Sequence, residues 1–309
     1  MSELDPHPHH PVRETVGGVM VALAALQFGV VIILGKRLGD VADPIPVEAM
    51  LSIRFAVSAL VLAAALAATR RPLLAAEGER RGLALLAVFG YGVEATFFFL
   101  SLRHGTAAAV TLLFFLYPVV VAVFSWLAGS GRPNRLTVAA LLAAMTGAAI
   151  VVVTGAGLAI EPIGIFYAFT SATVYAGYLV GSDVVLRRTP SLTSGMWVAA
   201  GASLGLFVWA AATSRWRLPS DAREWSAIVA MGIATAGAFF CLMEGIRRIG
   251  ALRTAIVSAL EPLAASLLAW LVLGEVVTGG VLLGGTLILA GAVAASLARR
   301  ATPQEQQIP

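Results

Sequence analysis

The chain has 309 residues, 59% of them hydrophobic and only 12% charged, with a mean hydropathy of +0.89, a formal net charge of +4 and an isoelectric point near 9.7. Soluble domains carry about 25% charged residues, so this composition excludes an ordinary water-soluble enzyme or binding module and makes the bilayer the solvent. The basic excess does not mark a nucleic-acid surface either. Arginines fall in pairs at the ends of apolar runs, as in Arg70-Arg71 and Arg187-Arg188, instead of along one face. The single cysteine, Cys241, cannot form a disulfide within the chain and sits in an apolar run as a small hydrophobe.

A run of about 20 apolar residues crosses the hydrocarbon core as a helix, and ten such runs are predicted. Residues 1–15 come first and read as a disordered cytoplasmic tail. His7, His9 and His10 there invite a metal reading, but no rigid frame fixes those rings. Three acids and one arginine in this leader, and a long apolar run after it, set the first span apart from a cleaved signal. Span 1 (16–36) carries Gln27 and Phe28 and closes on Lys36. Span 2 (46–69) opens at Pro46 and holds Arg54 two turns inside. Span 3 (82–102) places Tyr91, Glu94, Phe97 and Phe98 near its middle, and span 4 (106–128) carries Phe114, Tyr117 and Pro118. Spans 5 (136–155) and 6 (162–183) follow, the latter with Thr170, Thr173, Tyr175 and Tyr178. Spans 7 (192–213), 8 (224–246), 9 (251–273) and 10 (277–298) complete the series, with a break expected from Arg247 to Gly250 and a cytoplasmic tail at 299–309.

Alternating these spans puts Arg13, Arg70, Arg71, Arg80, Arg81, Arg132, Arg135, Arg187, Arg188, Arg247, Arg248, Arg253, Arg299 and Arg300 on one side. Lys36, Arg37, Arg103, Arg215, Arg217 and Arg223 fall on the other. The excess of positive residues marks the cytoplasm, so both termini are expected there.

One ungapped offset of 144 residues aligns Arg103 with Arg247, Ala107 with Ala251, Pro118 with Pro262, Trp126-Leu127 with Trp270-Leu271 and Gly147-Ala148 with Gly291-Ala292. Residues 16–155 and 162–298 therefore read as two copies of one five-helix unit. Five is odd, so the second copy enters the membrane from the opposite side. The expected fold is an all-α membrane protein of ten transmembrane helices in two inverted repeats, with a solute site at mid-depth between them. Pro118 and Pro262, near the middle of their spans, are candidate hinges lining a cavity, since mid-helix proline frees backbone carbonyls. A structural bend packed against neighbours would use the same residues.

Ionisable groups at membrane depth cost roughly 2.5–3.5 kcal/mol each on insertion scales, so each needs a reason. Glu261 reads as a proton acceptor or a contact for a substrate amine, or else as a carboxyl bonded across helices. Glu94 has Ala238 at the matching place in the other copy, an asymmetry that suits coupling or recognition. Arg54 suits an ion pair with a neighbouring helix better than a substrate carboxylate. Glu244 lies close enough to Arg247 and Arg248 to pair with them. Lys36 is placed to snorkel to the interface or to gate. Gln27, Tyr91, Tyr117, Tyr175 and Tyr178 belong to helices that could wall an amphipathic pocket, although packing between helices accounts for them as well. Gly201-Ala202-Ser203-Leu204-Gly205 has the form of a nucleophile elbow, but the only histidine beyond the leader is the shallow His104, and small residues four apart serve close helix approach. No phosphate-binding glycine loop and no metal-ligand spacing occur. No catalytic, cofactor or metal site is predicted.

Glu261-Pro262, Ala269-Trp270-Leu271, Leu273-Gly274-Glu275, Gly284-Gly285 and Gly291 together resemble the EamA-type branch of the drug/metabolite transporter superfamily. Pro46 with Arg54-Phe55, and Gly29 with Lys36, continue the resemblance. Phe28 stands where the family usually has Trp, and Gly129-Ser130-Gly131 where it usually has Gly-Glu. The resemblance implies a secondary transporter of a bacterial plasma membrane, exporting small metabolites or amino acids by alternating access, with a proton as candidate coupling ion. The alternatives are an uncoupled facilitator or exchanger and, in a different class, a non-transporting scaffold or intramembrane enzyme.

Overall fold

The computed structural model describes residues 11–39, 43–105, 110, 113–129, 133–156, 160–273 and 279–297, and among them all regular structure is helical apart from one antiparallel bridge between Gly105 and Ile160. The helices are α1 (Pro11–Gly39), α2 (Val47–Ala68), α3 (Arg80–Arg103), α4 (Tyr117–Leu127), α5 (Arg135–Ala156), α6 (Pro162–Val185), α7 (Ser191–Ala212), α8 (Ala222–Ser258), α9 (Leu260–Leu273) and α10 (Gly279–Leu297). Their starts follow from local chemistry. Pro46 and Pro190 precede α2 and α7, and Pro162 opens α6, where a missing N–H costs nothing. Asp221 caps α8 by accepting the Glu224 amide at 2.7 Å.

Six stretches among the described residues are long and apolar enough to cross a membrane: Glu14–Gly39, Val47–Ala68, Arg80–Arg103, Pro162–Val185, Ser191–Ala212 and Ala222–Ser258. Shorter apolar helices accompany them at Tyr117–Leu127, Arg135–Gly147 and Leu282–Gly291. Large apolar side chains such as Leu60, Phe89, Phe166, Leu204 and Leu271 point outward. In water such a surface would aggregate, whereas hydrocarbon solvates it.

One boundary differs from expectation. Helix α1 begins at Pro11, ahead of the expected span, because proline tolerates a first turn and Glu14 there has a cationic partner, Arg253. The break expected from Arg247 to Gly250 is present and narrows to one residue: Gly250, with φ 77° and ψ 166°, separates the helical stretches 222–249 and 251–258 of α8. A left-handed φ is open to glycine at little cost, so one residue redirects the chain. The beginning of span 4 and the link between α9 and α10 lie largely outside the described residues.

Helix α1 packs mainly on α8, α2 on α7, the Val93–Arg103 part of α3 on α6, and α5 on α10. The α5–α10 crossing is close enough to require glycine. A Cβ on Gly147 would stand 2.5 Å from the Gly284 carbonyl oxygen and 2.8 Å from the Ile288 amide nitrogen. One on Gly291 would stand 2.8 Å from the Ala140 carbonyl oxygen and 2.9 Å from the Ala144 amide nitrogen. Small residues are what allow helix backbones in lipid to approach this closely. The Gly201 and Gly205 positions serve the same end, against Ala87 and Val88 of α3.

At the Arg80 end of α3, buried Glu79 ties the two halves together. It accepts the amides of Arg187 (3.2 Å), Arg188 (2.8 Å) and Thr189 (2.8 Å) and the Thr189 hydroxyl (2.5 Å). Burial pushes its carboxyl up, but the Thr189 hydroxyl and the three amides outweigh this and hold it below the usual carboxylate range.

Two outcomes are expected. Gly147→Val and Gly291→Val should each lower stability by about 1–3 kcal/mol, since each overpacks a backbone contact. Gly279→Ala, with nothing within 4 Å of its added Cβ, should be silent, and detergent melting curves compare the three. A carboxyl with a depressed native pKa stabilises the fold above its unfolded pKa and loses that contribution as pH falls through the native value. The melting temperature should therefore fall on acidification below about pH 5 more steeply for the wild type than for Glu79→Gln.

Candidate functional site

A small, partly open cleft of about 40 Å³ lies where α1, α2, α3, α6 and α9 converge. Helix α1 contributes Phe28, Val31 and Ile32, and α2 contributes Arg54. Helix α3 contributes Tyr91, Glu94, Ala95, Phe98 and Phe99, and Phe114, Tyr175 and Glu261 close the ring. Those on α1, α2, α3 and α6 lie at mid-helix or toward the ends marked by Gly39, Val47 and Arg103. The opposite ends are knitted by ion pairs: Glu14 with Arg253 at 3.1 Å, and Glu244 with Arg248 at 2.6 Å and Arg247 at 3.9 Å. The pairing expected of Glu244 is thus present, with the Ser191 hydroxyl donating to it at 2.5 Å.

Irregular backbone places the polar residues. Leu86–Gly92 of α3 winds as a π-helix, a wider coil that occurs mostly as short segments at functional sites. Tyr91 sits on it, and Tyr91, Glu94, Ala95 and Phe98 then share one face at helical spacing. In the other wall the helix breaks at Ala259, between α8 and α9, which puts Glu261 in the first turn of α9. Its counterpart breaks at Phe115-Leu116, directly before α4, with Pro118 in the first turn. The two prolines thus lie just inside restarted helices instead of kinking continuous ones, since proline has no N–H to give and its ring clashes with a preceding turn. The side chains of Pro262 and Lys36 lie outside the described residues.

Arg54 is 2% exposed. Its Nε donates to Thr235 Oγ1 at 2.9 Å, and its guanidinium lies 4.6 Å over the Phe55 ring. The ion pair expected for it is not formed among the described residues; Thr235 and the ring hold it from behind while it lines the cleft with both carboxyls. Glu94 is buried, with the Ser171 hydroxyl 3.1 Å from its carbonyl oxygen and 3.3 Å from its Oε1. Glu261 is buried as well.

Tyr91 and Tyr175 line the cleft, and Tyr117 and Tyr178 form a floor beneath them. Tyr117 lies 4.9 Å from Tyr175, and Tyr178 5.2 Å from Tyr91, centroid to centroid. The Tyr117 hydroxyl donates to the Ala255 carbonyl at 3.3 Å. Gln27 is not in the cleft: its Nε2 donates to the Leu23 carbonyl at 3.1 Å, and the side chain packs on Gly237 and Cys241 in the α1–α8 contact. Phe97 turns to Tyr167, and the Thr170 and Thr173 hydroxyls bond the carbonyls one turn back. Sequence reasoning missed Thr235, Phe99, Val31 and Ile32. The α3 face spacing could have found Ala95; nothing local marks Thr235 as the support of a residue 181 positions away.

Charged side chains thus converge on an aromatic cleft within a bundle of apolar helices. Residues 15–153 and 162–297 each match the EamA-like transporter family, and the chain belongs to that family. Among relatives, an uncharacterized inner membrane transporter, YicL of Salmonella typhimurium, is 27% identical over 66% of this chain and 68% of its own length. The aromatic amino acid exporter YddG of Ancylobacter novellus is 27% identical over 69% of this chain and 74% of its own. A solved crystal structure 20% identical in sequence superposes with a TM-score of 0.76, covering 93% of this chain and 98% of that one. That likeness concerns fold alone.

Thr235→Val should leave the Arg54 Nε without an acceptor and lower stability by about 1–3 kcal/mol. Thr235→Ser should restore most of the loss, as read from melting curves of the purified chain.

Proposed function

We infer that this chain is a secondary transporter of a bacterial inner membrane, exporting a small zwitterionic metabolite of the amino-acid class by alternating access, with a proton as coupling ion. The observation that carries the reading is one buried guanidinium and two buried carboxyls facing a single aromatic cleft. Arg54 offers a planar fork for the solute's carboxylate. Glu94 or Glu261 meets its ammonium group, the other carrying the exchangeable proton. Phe28, Phe98 and Phe114 accommodate an apolar side chain. The exporter named for aromatic amino acids, among the relatives, supports that solute class.

Alternating access rests on ten spans in two inverted repeats, and the packing supports this. When residues 144 apart are exchanged, the α1–α8 pair becomes the α6–α3 pair, while α2–α7 and α5–α10 map onto themselves. The close contacts of Gly147 with Gly284 and Ile288 likewise become those of Gly291 with Ala140 and Ala144. Such a relation is what a two-fold axis in the membrane plane produces. Most of the cleft's lining lies nearer the Gly39, Val47 and Arg103 ends of its helices, which we read as one of two conformations that the exchange of repeats would interconvert, open at those ends. The distribution of positive charge supports cytoplasmic termini, so the open side is the outer one.

Labelled phenylalanine in proteoliposomes tests this. The wild type should exchange it and accumulate it against an imposed proton gradient. Either Glu94→Gln or Glu261→Gln should abolish the effect of pH while exchange survives. Arg54→Lys should raise KM at least about tenfold, as lost bidentate recognition implies. If both glutamine variants keep the pH dependence, the carrier is an uncoupled exchanger. If no amino acid is transported, comparing the metabolites of medium from cells with and without the protein identifies the solute.

A further inference from the structure

A second cationic group lies beyond the cleft, at the opposite ends of the helices. Arg253 is three residues past the Gly250 turn, on the stretch Ala251–Ser258 that carries the Tyr117 floor. Its side chain is 7% exposed. Nη1 stands 3.1 Å from Glu14 Oε2, whereas Nη2, also buried, has no hydrogen-bond partner among the described residues. The buried Thr254 Oγ1 beside it in sequence has none either.

A guanidinium is built to take a carboxylate with two parallel N–H groups. Glu14 engages only one arm, because it is tethered to the first turn of α1. An untethered carboxylate can use both. Glu14 is 35% exposed, so it can turn away into solvent when displaced. From Arg253 toward the cleft, the polar groups Thr254, Ser258 and Glu261 follow at intervals of four and three residues, a polar file leading to the first site.

We propose that Arg253 is a second carboxylate-binding site, at the helix ends opposite the cleft's mouth, where the substrate's carboxylate is received in exchange for Glu14. The identity of that carboxylate as the transported solute's rests on the amino-acid reading above; the existence of the site does not.

Acetate is the probe for the site itself. In the purified full chain, Glu14→Ala should melt below the wild type, and sodium acetate should raise its melting temperature by several degrees more than equimolar sodium chloride. Adding Arg253→Met should erase that difference. Should Glu14→Ala fail to purify folded, Glu14→Gln takes its place with the same expectation. Equal responses to acetate and chloride overturn the site. For its role, labelled phenylalanine and labelled phenethylamine, which lacks the carboxylate, are presented at the face carrying the termini. Glu14→Gln should lower the KM for phenylalanine several-fold, and Arg253→Lys should raise it, with phenethylamine unaffected and maximal rates within about twofold. Parallel changes for both probes, or changes confined to the maximal rate, would mean that the pair only latches the helices and would overturn the receiving role. Absence of phenylalanine transport in the wild type would fault the substrate reading, and the acetate comparison would still decide the site.

Discussion

Hydrocarbon offers no hydrogen bonds, and that constraint orders the whole molecule. Backbone groups must be satisfied within helices, which is why regular structure among the described residues is helical. Ionisable groups must either reach the helix ends or find protein around them. Arg188, Arg215, Arg217 and Arg248 take the first course, pairing with Glu79, Glu48, Glu224 and Glu244 at helix termini. Arg54, Glu94 and Glu261 take the second, and their convergence makes the cleft. A packed apolar core would be cheaper, so their joint burial is the mark of a site.

The same constraint explains where regular helix gives way. The π-helical turn at Leu86–Gly92 and the interruptions at Phe115-Leu116 and Ala259 adjoin the cleft or its floor, whereas the left-handed Gly250 turns the chain at the opposite helix ends. Freed carbonyls there are covered by protein: the Ala255 carbonyl by the Tyr117 hydroxyl, the Glu94 carbonyl by Ser171. Helices α2, α5 and α7 run unbroken and pack closely on their partners. The molecule thus divides into a regular frame with glycine-tight crossings and an irregular centre.

Ion pairs bind both ends of the helices. At the ends nearer the cleft, Arg215 meets Glu48, and Arg217 meets Asp43 and Glu224. At the other end, Glu14, Arg253, Glu244, Arg248 and Ser191 join α1, α7 and the Gly250 turn. Ion pairs and hydrogen bonds of this sort exchange partners readily with water or with a charged solute, whereas apolar contacts part only by exposing surface. Glu79 stands apart from this set: bound mainly by three amides and a hydroxyl, with exposed Arg188 3.8 Å away, it fastens the α2–α3 loop to the α6–α7 turn.

What the sequence by itself determined is the membrane environment, the duplicated unit and the three charged residues within apolar runs. Each follows from composition, from a fixed offset, or from the cost of charge in hydrocarbon, all of which are local or periodic properties. The crossing role of Gly147 and Gly291 came from the structure. Only the tertiary structure decided that Arg54 rests on Thr235 and Phe55 instead of pairing with an acid, that Gln27 belongs to the α1–α8 contact, and that Tyr117 and Tyr178 lie under the cleft. It also decided that the break after Arg247 is a single residue, Gly250. These depend on which helix faces which, and in a bilayer hydropathy is nearly uniform around each helix. Apolar periodicity, which marks the inward face of a helix in water, therefore carried little information about them.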